Sequence, residues 1–326
     1  MAGDDGLRRD EWLIYRGGGE PHDGIRNLPE PPPWRLPGRG QTSADRARAY
    51  QIGPEEVNMV NVALRLRRPL LVTGKPGAGK TSLAHSIAYE LKLGPVLRWP
   101  ITSRSILADG LYSYDAIGRL HDSGLKPGER STESDIGRYI RLGPLGTALL
   151  PQGLPRVLLI DDLDNSDIDL PGDLLSVLEE GTFVIPELER LPDEQSDVEV
   201  YTGDAGQRAV VHRGRIACQA NPVVVITSNS GRDFAPTFLR RCLGLDLKQP
   251  IGDQLAAIVV AHMGPEALAR STTLVEEFFK LAERGHLATD QLLNVLFLVT
   301  SGEQPPDEIR KKLPDALLRP LSAAGS

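Results

Sequence analysis

The residues best suited to chemistry in this chain are Gly74, Gly79, Lys80 and Thr81, in the run G-K-P-G-A-G-K-T. Their spacing is G-x-x-x-x-G-K-[ST], which wraps backbone N–H groups around phosphates, sends a lysine to the β/γ oxygens and puts a hydroxyl on Mg²⁺. The predicted cradle therefore includes Lys75, Pro76, Gly77 and Ala78, with Ser82 following Thr81 into the next element. Glycines let the backbone approach the anion closely. The setting is the expected one: an apolar β-type run, P-L-L-V-T-G, precedes the turn, and Leu83, Ile87 and Leu91 follow at four-residue spacing. Such a helix packs one face while its N-terminus points partial positive charge at the phosphates. The competing reading, a glycine turn that binds nothing, does not account for strand, turn and helix in that order.

A second group of candidates lies downstream. Asp161 and Asp162 end the apolar run R-V-L-L-I-D-D, as in a buried parallel strand whose carboxyl edge faces a ligand. Asp161 is placed to hold Mg²⁺ through water together with Thr81, or else merely closes a strand. Asp162 stands where a general base for water would stand, or is an exposed loop acid. Asn229, in T-S-N-S-G, either orients that water through its amide or serves a turn. Arg240 and Arg241 are either solvated surface or present a guanidinium to a neighbouring subunit's γ-phosphate, a contribution of ~10³ to 10⁵ in rate where it operates. Tyr112 and Tyr114, in a predicted loop beside Gly110, are packing aromatics or a substrate-gripping pore loop. His121, His212 and His286 have no ligand-like neighbours in sequence and receive no role.

Composition bounds the rest. The 326 residues are 40% hydrophobic and 25% charged, ordinary for a globular chain of about two domains. A net charge of −7 and a pI near 5.5 argue against a free-standing nucleic-acid binder, because lysines and arginines are scattered. The only cysteines, Cys218 and Cys242, have no metal-like spacing and read as reduced thiols of a cytoplasmic protein. No apolar run approaches the ~18 residues of a membrane span. The start M-A-G-D-D-G-L-R-R lacks the pattern of a secretion signal, so a soluble, unprocessed chain is expected.

Three regions are expected in order. Residues 1–51, rich in Gly, Pro and Arg, form an extended arm, either a disordered or polyproline-type leader or a strap docked through Trp12, Tyr15 and Trp34. Residues 52–248 carry the α/β core: a helix from Pro54 to Leu66, strands at the apolar run from Pro69, at Pro95 to Ile101, Arg156 to Asp162 and Pro222 to Asn229, and helices at Leu170 to Glu180 and Ala235 to Cys242. Within it, His121 to Ser134 reads as a polar loop, Leu142 to Leu150 as a short helix tip, and Thr182 to Asn221 as a protruding β-hairpin. Residues 249–326 are wholly helical in pattern, with helices expected at Gln254 to Met263, Thr273 to Glu283 and Thr289 to Thr300. The fold class is thus α/β: a P-loop core with a parallel sheet flanked by helices, an inserted β-hairpin and a small all-helical lid.

With these parts in this order, the chain resembles the AAA+ superfamily of ring-forming ATPases, and more closely its MoxR family. The resemblance runs from about Trp12 through the lid and is carried by L-R-R-P-L-L-V-T-G-K-P-G-A-G-K-T, I-T-S-R-S-I-L-A-D-G-L-Y-S-Y-D-A-I-G-R-L, L-G-P-L-G-T-A-L-L-P, S-D-I-D-L-P-G-D-L-L-S-V-L-E-E-G and V-V-I-T-S-N-S-G-R-D-F-A-P-T-F-L-R-R-C-L. It implies that Gly74 to Thr81 are Walker A, Asp161 and Asp162 Walker B, Asn229 sensor 1, and Arg241, with Arg240 as the alternative, the arginine finger. Residues 182–221 would be the hairpin inserted before sensor 1. It further implies ATP and Mg²⁺ as cofactors, a hexameric ring with ATP at subunit interfaces, and chaperone-like remodelling of a protein client. A von Willebrand factor A domain protein is the partner the resemblance suggests. Two departures stand out. The family usually has D-E where this chain has Asp161-Asp162, shortening the presumed base by one methylene. The lid reads R-G-H-L-A-T-D-Q-L-L in place of a P-S-T-x-E-L-L-like start, leaving Arg284 as the sensor 2 candidate. The rival functions are a nucleotide-gated interaction scaffold with little hydrolysis and, against the acidic balance, a nucleic-acid-dependent motor.

Overall fold

The computed structural model describes residues 12–15, 20–32, 35, 44, 47, 50–124, 133–229, 232–250, 252–266 and 289–300. The chain divides into two compact units: residues 52–74 with 80–247, and the described residues of 1–51, 75–79 and 248–326.

The first unit begins with helix α1 (Pro54–Leu66). Pro54 occupies its first turn, where a missing N–H costs nothing, and Arg67 stops it in the left-handed conformation at φ 53°. Strand β1 (Leu70–Gly74) then enters the core and helix α2 (Lys80–Glu90) leaves it, with Leu83, Ala84 and Ile87 buried. The pattern repeats with β2 (Leu97–Pro100), β5 (Val157–Asp161), helix α6 (Leu170–Glu180) and β10 (Val223–Thr227). Every residue of β5 is buried, which explains its uninterrupted apolar run. A strand missed in the sequence, β11 (Leu243–Leu247), completes a five-stranded parallel sheet in the order β11-β1-β10-β5-β2. Its L-G-L-D-L alternates buried and exposed positions, so it lacks the apolar run that marks the others. Gly74 lies so close to β11 that an added Cβ would stand 2.4 Å from the Leu247 carbonyl oxygen.

Parallel pairing brings the carboxyl ends of β1, β10 and β5 to one edge. In register, Val72 lies opposite Thr227, Ile226 opposite Ile160, and Pro100 opposite Asp161. That edge is where ligands bind in open α/β sheets.

Between β2 and β5, helix α3 (Leu107–Leu111), strand β3 (Tyr112–Tyr114), helix α4 (Ala116–Gly124), strand β4 (Ile140–Leu142) and helix α5 (Pro144–Ala148) succeed one another. Two expectations are corrected here. Tyr112 and Tyr114 lie on a strand paired antiparallel to β4, not in a loop, and residues 121–124 continue α4, although they read as polar loop. Beyond α6 come β6 (Thr182–Val184), helix α7 (Pro186–Glu189), and β7 (Asp197–Tyr201), β8 (Arg208–His212) and β9 (Arg215–Ala217). The expected hairpin is present as the antiparallel β7–β8 pair. Its surroundings are larger than expected: β3-β4-β7-β8-β9-β6 form one six-stranded sheet, with β4 and β7 parallel. Ile140, Leu142, Val198, Val200, Val211 and Ile216 belong to the same buried cluster as Leu158 and Ile160 of β5. A short helix, α8 (Pro236–Leu239), precedes β11.

In the second unit, α9 (Gly252–Met263) buries Leu255 and Val259, and α10 (Thr289–Thr300) buries Leu292, Val295, Leu296 and Val299. The helix expected at 273–283 lies outside the described residues, as does Trp34. Tyr15 is exposed. No helix among the described residues is long and apolar enough to cross a membrane.

Candidate nucleotide-binding site

Chain continuity from β1 to α2 forms the phosphate-loop turn. Gly77 and Gly79 adopt φ of 79° and 93°, values that residues with a side chain rarely reach, and the Ala78 N–H donates to the Lys75 carbonyl at 3.2 Å. A Cβ on Gly79 would stand 2.8 Å from the Tyr50 ring. Lys80, Thr81 and Ser82 open α2.

At the carboxyl edge of the sheet, four predicted residues meet. Lys80 Nζ donates to the Gly74 carbonyl at 2.7 Å and to Asn229 Oδ1 at 3.1 Å. Thr81 Oγ1 donates to Asp161 Oδ1 at 3.1 Å. Asp161 is 3% exposed, deep for a carboxylate, and such burial is tolerable only with partners. Burial pushes the Lys80 ammonium down from the ordinary lysine value, opposed by Asp162, Asp164, Asp161 and Asp246.

Four further residues complete the network without having been singled out in the sequence. Thr227, at the end of β10, donates through Oγ1 to Asp161 Oδ1 at 2.8 Å and accepts from the Asp162 N–H at 2.8 Å. Arg98 of β2 donates through Nε and Nη2 to Asp161 Oδ2 at 2.9 and 2.6 Å. Asp164 accepts from both the backbone N–H and the Nδ2 of Asn229, each at 3.2 Å. Arg232 Nη1 donates to the carbonyls of Asp164 and Ser166 at 3.0 and 2.6 Å, tying down the loop that carries Asp164. Only Asp164 had a sequence signal, a third carboxylate in D-D-L-D.

Asp162 has φ 61° and ψ 50°, a left-handed conformation that a short polar side chain tolerates better than most. Its carboxyl is raised above the usual carboxylate range, first by burial and then by Asp161 and Asp164, with Lys80 and Arg98 opposing.

Arg240 and Arg241 are not brought to this edge. They follow α8 and line a cleft of about 520 Å³ together with Arg67, Arg68, Glu179 and Pro222, beside the amino ends of β1 and β10. A five-residue strand, ~16 Å, separates that end of the sheet from the phosphate edge. Arg241 Nε pairs with Glu179 Oε1 at 2.8 Å, while Arg68 donates to the carbonyls of Arg240 and Arg241. Arg284 lies outside the described residues.

A family model for the AAA domain (dynein-related subfamily) matches residues 69–242, more than half of the chain. The chain belongs to that family. It is an ATP-binding AAA+ protein, and the matched span runs from the residue before β1 to the residue before β11 of the AAA+ core. No curated protein matches the chain significantly. Among solved structures, NtrX from Brucella abortus in complex with ADP is similar at a TM-score of 0.40 and 15% identity, over 87% of this chain and 59% of that one. The chain thus spans about three fifths of the NtrX chain it matches.

Proposed function

We propose that this AAA+ protein is a MoxR-type, Mg²⁺-dependent ATPase that hydrolyses ATP slowly in an oligomeric ring, of the hexameric kind, to remodel a partner protein. The observation that carries this reading is the convergence at the sheet edge of two hydrogen-bonded pairs, Lys80 with Asn229 and Thr81 with Asp161, from adjacent residues of α2. Thr81 and Asp161 offer hard oxygen donors side by side, the donor chemistry Mg²⁺ takes. Bound there, the ion would offset charge on the β- and γ-phosphates.

The chain's own residues then divide the work. Gly74 to Ser82 cradle the phosphates through backbone N–H groups, and Lys80 exchanges its contacts with Gly74 and Asn229 for phosphate oxygens. Asn229, held through its amide nitrogen by Asp164, turns its oxygen to the attacking water. Asp162 takes the proton, and its raised basicity suits it to that task near neutral pH better than an ordinary aspartate. Arg241, or Arg240, serves the γ-phosphate of the neighbouring subunit, since the opposite end of the sheet holds both. Arg284 is the sensor 2 candidate of the lid. Residues 1–51, 52–248 and 249–326 are the arm, the AAA+ core and the lid, in a cytoplasmic protein. A von Willebrand factor A domain protein is the partner class that accompanies this reading.

ATP turnover measured across protein concentration tests it: specific activity is expected to rise on assembly, and flat specific activity would sink the trans-acting arginine. One observation favours a second reading, a nucleotide-gated scaffold with very weak hydrolysis: the base is the shorter Asp162, and a misplacement of roughly 1 Å costs ~10²-fold in rate. Asp162→Glu separates the two. Loss of turnover keeps the aspartate as the working base, whereas a large gain favours the scaffold.

A further inference from the structure

Both oxygens of Asp161 are taken. Oδ1 accepts from the hydroxyls of Thr81 and Thr227, and Oδ2 accepts two N–H groups of one guanidinium, that of Arg98. The two ends of this ion pair differ in freedom. The Asp161 side chain is 4% exposed and sits on the fully buried β5, while that of Arg98 is 51% exposed and rises from β2, the edge strand of the sheet. The guanidinium therefore reaches the carboxylate from the solvent side and has water to return to; the carboxylate has nowhere to go.

We propose that Arg98 is an internal competitor for the divalent cation, its guanidinium occupying Oδ2 of Asp161 and withdrawing when the cation loads. This rests on the reading of Asp161 as the metal carboxylate. The physical reason is charge. A guanidinium and a divalent cation on the same carboxylate repel each other, and the two N–H···O bonds must be given up to water before Oδ2 is available. Arg98 suits the role of placeholder because its planar fork satisfies a buried carboxylate that would otherwise lie uncompensated. Cation affinity is thereby lowered, and loading is coupled to the arrival of phosphate charge, which offers Arg98 and Lys80 alternative partners. A purely orienting role would have the opposite sign: without Arg98 the carboxylate would lose its aim and the cation would bind more weakly.

The test uses full-length protein with a non-hydrolysable ATP analogue and Mn²⁺ as the probe, the bound fraction read from the free-Mn²⁺ electron paramagnetic resonance signal against metal and analogue without protein. Arg98→Met, which keeps an apolar stem, is expected to bind Mn²⁺ about tenfold more tightly than the wild type. Arg98→Lys, which keeps the charge and the fold but loses the fork, is expected to bind about threefold more tightly. Unchanged or weaker Mn²⁺ affinity in Arg98→Lys and in folded Arg98→Met overturns the proposal. Asp161→Asn separates the levels: if it binds Mn²⁺ as tightly as the wild type, the metal assignment itself fails and this inference with it. If Asp161→Asn loses Mn²⁺ and the Arg98 variants do not gain, the competitor alone is refuted.

Discussion

Thr227 is the least conspicuous residue of the site and the one on which both acidic candidates depend. The residue is 1% exposed, and its single hydroxyl donates to Asp161 and accepts from the Asp162 backbone, each at 2.8 Å. Thr227→Val keeps the shape and the β-branched preference for strand while deleting both bonds. A hydrogen bond to a charged acceptor contributes ~1.5 to 3 kcal/mol, and a donor left without its partner costs ~1 to 3 kcal/mol more. Water can reach the half-buried Asp162 and recover part of the second amount. The expected destabilisation is therefore about 3 kcal/mol, which lowers Tm by roughly 9 °C for a cooperative unit of this size. Thr227→Ser restores the hydroxyl and should recover most of the loss. Thermal unfolding followed by circular dichroism gives the stability, and ATP turnover at 25 °C, where all three proteins are folded, gives the effect of loosening Asp161 and Asp162. The reasoning is refuted if Thr227→Val melts within 2 °C of the wild type, or if Thr227→Ser is as damaged as Thr227→Val; these are thresholds of roughly half a kcal/mol.

Three other substitutions probe separate parts of the molecule. Because the folded state raises the Asp162 carboxyl, the stability associated with its neutral form is present below the unfolded value and is lost as pH rises through the folded one. Asp162→Asn should therefore raise Tm by about 2 °C at pH 7 and leave it unchanged near pH 3, while cutting turnover by ~10² or more; a lower Tm at pH 7 would contradict the electrostatic account. The Arg241–Glu179 pair has side chains 41% and 52% exposed, so Arg241→Ala should move Tm by less than about 1 °C yet abolish the rise of ATPase activity with concentration. Retained concentration dependence would remove Arg241 as the finger and leave Arg240. Burial, and then its bond to Glu187, push the Tyr112 phenol up to about 12, so its contribution is intact below pH 10 and lost as pH passes the folded value. Tyr112→Phe should cost about 1 kcal/mol and remove a tyrosinate that appears near pH 12 in an ultraviolet pH titration; an unchanged titration curve would refute it.

How far the site could be read beforehand depended on where each bond lies along the chain. The phosphate loop is local: strand, glycines, lysine and hydroxyl are contiguous, so their spacing is itself the geometry. Parallel pairing also made Asp161 legible, because a buried strand must be apolar up to its end and polar at the ligand edge. Arg98 and Thr227 were illegible for the opposite reason. Arg98 is an exposed position of a half-buried strand, and only the register placing Pro100 beside Asp161 reveals that its side chain reaches that carboxylate. β11 carries no apolar run to mark it, because an edge strand beside β1 needs only every second residue inside. Likewise the tyrosines of β3 read as a loop because three residues are too few to show a period, and their partner β4 lies beyond a polar stretch.

The same distinction bears on Asp162, where the sequence departure becomes a question of backbone. Its left-handed conformation follows directly from anchoring: the N–H is held by Thr227, while the Asp162 carbonyl accepts from the Asn165 N–H at 3.0 Å and starts the turn that delivers Asp164 to Asn229. A residue in that conformation is best short and polar, which aspartate is and glutamate is less so. Local geometry thus favours aspartate over glutamate at this position for a reason independent of catalysis, and the turn that imposes it also supplies a third carboxylate within the site. What Asp162 lacks in reach is set against what Asp164 adds by fixing the amide of Asn229. On the proposed reading, whether this AAA+ core turns over ATP or only holds it therefore depends on Asp162 and Asp164 as a pair.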